Sequence, residues 1–113
     1  LFRLPYGATL YHGAAKGADR IASEIAKAMQ MPQIPFVARW PEHLAGWCRC
    51  GSPLPSYCPA AGIVRNRAMR DAAKVEAGKG ARVICLAFPL PQSKGTLDMI
   101  ALCEAEGWEV RRP

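Results

Sequence analysis

The stretch Ala81-Arg82-Val83-Ile84-Cys85-Leu86-Ala87-Phe88 decides the fold class. Its near-continuous apolar run fits a parallel strand buried on both faces. Pro89 to Lys94 follows as a loop, and Gly95 to Glu106 as a helix with Leu97, Ile100, Ala101 and Cys103 facing inward. Gly107 stops that helix, and Trp108 to Arg111 is a last short strand. On the other side, Ala60 to Ala77 reads as a helix with Ile63, Met69, Ala72, Ala73 and Val75 on its apolar side, closed by Gly78 and Gly80.

Further out, Ala8 to His12 is a short β-prone run ending at glycine, and Gly13 to Gly17 is a glycine-bracketed turn. Ala18, Ile21, Ala22, Ile25, Ala28 and Met29 then recur at helical spacing, opposite Asp19, Arg20, Glu24 and Lys27. Pro32 ends this amphipathic helix, and Ile34 to Arg39 is a second strand. The order β-α-β-loop-α-β-α-β predicts an α/β fold: a parallel sheet of about four strands with covering helices. Right-handed crossovers would then gather the strand-to-helix turns along one edge, where ligands bind in such folds.

The 113 residues, half of them hydrophobic, suit one domain spanning 1–113. No stretch approaches the roughly 20 apolar residues of a membrane span, and Leu1 to Leu10 lacks the apolar core of a secretion signal. The expected setting is cytoplasmic and reducing, with no membrane partner and with the five cysteines as thiols. The chain opens on Leu1, which fits a start inside a longer parent or a processed one. The net charge of +6 favours phosphate-bearing partners. The bases are scattered, apart from Arg65, Arg67 and Arg70 and the pair Arg111-Arg112, so a solvated basic surface is the competing explanation.

Three segments carry candidate chemistry. In His12-Gly13-Ala14-Ala15-Lys16-Gly17-Ala18-Asp19, Gly13 and Gly17 let backbone approach a ligand, the helix start offers N–H groups to an anion, and Lys16 adds charge. Asp19 could cap the helix or hold a ribose hydroxyl; a tight turn with an acidic first helical turn is the plainer alternative. His12 could touch the same ligand, or be a buried histidine satisfied by backbone. In Phe88 to Met99, Lys94, Gly95 and Thr96 open a helix where a phosphate could sit, unless Ser93 or Thr96 merely caps it. Between them, Arg65 and Asn66 fall in the first turns of a helix, where the dipole disfavours a cation. Arg65 there suggests an anionic ligand or a neighbouring carboxylate.

HGAAKGAD, AGIVRNRAM and FPLPQSKGTLDM together resemble the three motifs of the SLOG superfamily, which contains the Smf/DprA and LOG proteins. They are most similar to its small YspA/YpsA-related branch, found in bacteria and their phages, where the stretches run roughly HGGARGAD, AGPIRNRRM and FPGGRGTADM. The resemblance covers Tyr11 to Val110. It implies a Rossmann-like fold that binds a nucleotide or nucleotide-derived ligand, acting as a sensor or sequestering module. LOG enzymes hydrolyse the N-glycosidic bond of nucleoside 5'-monophosphates with a carboxylate and an arginine. By that likeness Asp98 and Arg65 are the catalytic candidates. DprA-like single-strand binding is a further implication, though few aromatics beyond Trp40, Trp47 and Tyr57 are placed to form a stacking platform. Two departures stand out. The family's usual first strand-helix unit is absent or reduced to Leu1 to Gly7, and Pro-Gly-Gly before Gly-Thr is replaced by Pro-Leu-Pro-Gln-Ser-Lys. The missing unit could come from another subunit, hence a homo-oligomer.

Residues 40–61 form an irregular Cys-rich loop. His43, Cys48, Cys50 and Cys58 could supply a structural zinc with a closed tetrahedral set. The spacing Cys-x-Cys is unlike the usual knuckle, so free thiols or a disulfide are the alternatives. Cys85 and Cys103 read as core residues.

Overall fold

The computed structural model describes residues 7–14, 17–39, 60–88 and 94–112. They belong to two compact units, Leu1–Val37 and Ala38–Pro113.

In the first unit β1 (Leu10–His12) leads through the glycine turn into α1 (Ala18–Ala28), which returns to β2 (Gln33–Pro35). β1 and β2 pair in parallel with Tyr11 opposite Ile34. The ladder is extended by Leu10 N–H donating to the Pro32 carbonyl (2.9 Å) and Phe36 N–H to the His12 carbonyl (2.8 Å). β2 is shorter than the expected Ile34 to Arg39, because Pro35 has no N–H for the ladder. Tyr11 and Phe36 add a tilted ring contact at 5.7 Å.

The inward face of α1 differs from the periodicity. Ile21, Ile25 and Met29 are more than half exposed, while Ala26 is buried and Ala22 and Ser23 are half-buried. The helix packs on β1 through its small side chains, and the Ser23 hydroxyl donates to Gln33 Oε1 on β2 at 2.7 Å. The covered positions of α1 are thus taken by small side chains.

In the second unit α2 (Ala61–Gly78) leads to β3 (Ile84–Leu86), then α3 (Lys94–Ala105) and β4 (Glu109–Arg111). β3 and β4 pair in parallel, with Cys85 opposite Val110. Ala61, Ala87, Ile100 and Cys103 are buried here, and α2 packs on α3. Leu97 and Ala101, expected inward, are exposed, as are Ile63 and Val75 of α2. The α/β alternation with parallel strands is the one expected and is consistent with a small Rossmann-like fold. The strands form two two-stranded sheets, β1-β2 and β3-β4. With a single ladder, β3 is half-buried along its length, where the apolar run led us to expect burial on both faces.

All three helices end alike. A residue in the left-handed region follows each helix, at Gln30 (φ 55°), Gly80 (φ 97°) and Gly107 (φ 76°). Its N–H and the next residue's reach back to carbonyls of the last turn. The pairs are Gln30 to Lys27 with Met31 to Ala26, Gly80 to Ala77 with Ala81 to Glu76, and Gly107 to Glu104 with Trp108 to Cys103. This is the Schellman arrangement, which satisfies carbonyls the helix would leave unpaired. Pro32 therefore lies beyond the actual stop of α1, which is the turn at Gln30.

Candidate functional site

α2 runs past the first turn of α3, and its second turn carries Asn66, only 4% exposed. A primary amide buried this far must place its polar atoms on partners. Both hydrogens of Asn66 Nδ2 are used: one goes to the Gly95 carbonyl and the other to Asp98 Oδ2, each at 3.1 Å. Gly95 and Asp98 lie three residues apart on α3, so one amide reaches both. Asn66 Oδ1 accepts from Arg65 Nε at 2.9 Å. One buried side chain thus stands between a guanidinium and a carboxylate that are 33 positions apart in sequence (98 − 65). No described buried side-chain nitrogen or oxygen lacks a partner.

Four of the residues singled out in the sequence, Arg65, Asn66, Gly95 and Asp98, therefore meet in the second unit. Lys94 and Thr96 share the first turn of α3 with Gly95, Lys94 exposed and Thr96 half-buried. Arg67 is exposed. Gly95 itself has no structural requirement among the described residues. A Cβ there would meet nothing within 4 Å, and its φ lies outside the left-handed region. A helical glycine costs about 0.5–1 kcal/mol relative to alanine. Its use beside open space leaves room for something to approach the backbone.

The glycine turn of the first unit is organised by its own side chains. The Gly13 N–H donates to Asp19 Oδ2 at 3.1 Å, closing the turn onto the first turn of α1. The Ala14 N–H donates to His12 Nδ1 at 3.0 Å. Because Nδ1 accepts, the imidazole proton belongs on Nε2, which donates to Gln33 Oε1 at 3.0 Å. Gln33 Oε1 also receives the Ser23 hydroxyl. His12 is thus a buried histidine satisfied by backbone on one side and a side-chain amide on the other. Gly13 and Asp19 come together as an internal pair, and the amides of Gly13 and Ala14 are already engaged. Gly17 caps α1 with φ 86°. Ala14, at φ 54°, occupies a conformation in which glycine is favoured. Gln33 and Ser23 were not singled out in the sequence. A glutamine in a strand and a serine in a helix carry no local signal of pairing with a histidine.

Lys16 and the zinc candidates His43, Cys48, Cys50 and Cys58 lie outside the described residues, as does Ser93. Among the described residues no group of three or more His, Cys, Asp or Glu could hold a metal.

Cys85 of β3 and Cys103 of α3 are in thiol–thiol contact. The Cys103 thiol donates to Cys85, which holds Cys85 below the ordinary thiol range against the opposing effect of burial. The same bond, reinforced by burial, pushes Cys103 far up. At the first residue of β4, hydrogen bonds from Arg82 (2.7 Å) and Arg111 hold the Glu109 carboxyl below its usual range. No helix among the described residues is long and apolar enough to cross a membrane.

Residues 2–43 match the YspA, cpYpsA-related SLOG family. Over 96 residues the chain is 40% identical to the Gene 61 protein of Mycobacterium phage D29, a match covering 85% of this chain. It spans 63% of that phage protein's length. No solved structure matches the chain.

Proposed function

We propose, from the match of residues 2–43 to the YspA, cpYpsA-related SLOG family, that the protein binds a nucleotide or nucleotide-derived phosphate ligand at the junction of α2 and the N-terminal turn of α3. The observation that carries this reading is the Arg65–Asn66–Asp98 chain of hydrogen bonds, with Gly95 held by the same amide. A guanidinium and a helix N-terminus favour an anion, and Lys94 adds a second cation in the same turn. Asp98 supplies an acceptor suited to sugar hydroxyls. Among the described residues nothing lies within 4 Å of the Cβ position of Gly95, which leaves room for a phosphate at that turn.

Calorimetric titration of the full chain with adenosine 5'-monophosphate, and separately with inorganic phosphate, tests the reading. Binding of the nucleotide is expected, weakened by about tenfold or more in Arg65→Ala, the scale of one lost charge-assisted hydrogen bond. Absence of binding by AMP and the other common nucleoside monophosphates at millimolar concentration would sink it.

A second reading, hydrolysis of a nucleoside monophosphate at its N-glycosidic bond, draws on the same feature. A carboxylate steadied by an amide donor can stabilise the positive charge that develops on the ribose as the base departs. Release of free adenine from AMP, lost in Asp98→Asn, is the expected result. Release that persists in that variant removes Asp98 from the chemistry.

A further inference from the structure

We infer that Asn66 is a positioning residue that aligns Arg65 and Asp98 for the ligand without touching the ligand itself. The inference rests on the nucleotide-binding reading and adds to it a division of labour within the site.

A side-chain amide offers two hydrogens and one carbonyl oxygen. In Asn66 both hydrogens are committed, to Gly95 O and Asp98 Oδ2. The oxygen receives Arg65 Nε. At 4% exposure, no surface remains from which to contact a ligand. Its three partners differ in character: a backbone carbonyl, an anion and a cation. The bond to Gly95 O anchors the amide plane to the backbone of α3. With that plane set, the carboxylate of Asp98 is held on one side by a donor. On the other side the guanidinium of Arg65 is held by its Nε edge. Asparagine suits this task where aspartate or leucine would not, because its amide carries two donor hydrogens and an acceptor oxygen at one end. Swapping the donor end for a carboxylate would set two anions against each other at Asp98, and would also leave Gly95 O without its donor.

The consequence is a coupling. Removing Asn66 takes one hydrogen bond from Arg65 and one from Asp98, so its effect on a ligand passes through them. Wild type, Asn66→Ala, Arg65→Ala/Asp98→Ala and the triple variant are compared by calorimetric titration with AMP, after circular dichroism has checked that each is folded. Asn66→Ala is expected to weaken binding about tenfold, as for loss of a hydrogen bond to a charged group. In the background that lacks both Arg65 and Asp98 the same change should cost no more than about threefold, the mark of a shared pathway. Losses that simply multiply would mean that Asn66 contacts the ligand independently, and would overturn the inference.

A measurement on the unliganded chain separates this from the nucleotide reading. In nitrogen-15 spectra of wild type, the Asn66 amide protons and the Arg65 Nε–H should exchange slowly with water. The Arg65 signal should lose that protection in Asn66→Asp or Asn66→Ala, whichever folds. Should AMP fail to bind while this loss of protection occurs, the nucleotide reading falls and the alignment stands. An Arg65 signal unaffected in the variant overturns the alignment whatever the ligand.

Discussion

Gly95→Ala should make the protein more stable and less able to bind. The added methyl meets nothing within 4 Å among the described residues, and the backbone there is one any residue adopts. The folded state therefore loses nothing, while the unfolded chain loses freedom, a gain of about 0.4–1 kcal/mol. Position 95 is the second residue of α3, where helix propensity counts less than in the middle, so the lower half of that range is expected. For a domain of this size the rise in Tm is about 2–5 °C. A phosphate drawn to the amides of that turn would collide with the methyl. Overpacking of this kind costs about 1–3 kcal/mol, or about 5- to 150-fold in Kd. Thermal unfolding by circular dichroism and calorimetric titration with AMP on one preparation read both quantities. A higher Tm with unchanged Kd would refute the idea that a ligand uses the space at Gly95. A lower Tm would refute the account of the glycine itself.

Two further outcomes follow from the helix ends and the thiol pair. Gln30→Gly relieves a left-handed residue at the end of α1 while keeping the bonds to Lys27 and Ala26. It should stabilise by about 0.5–1 kcal/mol after the entropy of a new glycine is subtracted, read as a higher urea midpoint with unchanged slope; a lower midpoint contradicts it. The raised Cys103 thiol means that the native chain keeps a proton the unfolded chain gives up. Stability should therefore fall as pH climbs beyond about 8.5, the ordinary thiol value. Cys85, shifted down, adds stability as pH rises towards that value and keeps it above. Unfolding free energies measured from pH 7 to pH 10 should decline above pH 8.5 in wild type and decline less in Cys85→Ala/Cys103→Ala; equal slopes contradict the assignment.

Much of the fold was legible because its signals are local. The alternation of apolar runs with helical periods gave all seven elements in order, and Gly80 and Gly107 marked two helix ends because a left-handed turn favours glycine. The end of α1 was not legible, since Gln30 adopts the same conformation without the residue that advertises it. Nor was the face of α1, where periodicity favoured Ile21, Ile25 and Met29 but the covered residues are Ala22, Ser23 and Ala26. At the site, Arg65 drew notice as a cation in an early helical turn, and Asp98 through the Gly-Thr-Leu-Asp motif. Their link through Asn66 depends on how α2 lies against α3, which no local pattern encodes. The thiol contact of Cys85 and Cys103 is of the same kind: both were legible as core residues, their pairing was not.

The tight helix ends also constrain how this chain can change over time. The segments leading out of helices, 29–32, 79–83 and 106–108, are short and spend their amides closing the preceding turn. An inserted residue there would shift the following strand by one position and turn its side chains to the wrong face. Between β2 and α2, by contrast, the sequence spans residues 36 to 60. Changes in length are better tolerated in a connection of that span than at the helix-to-strand joints, which stay fixed in length.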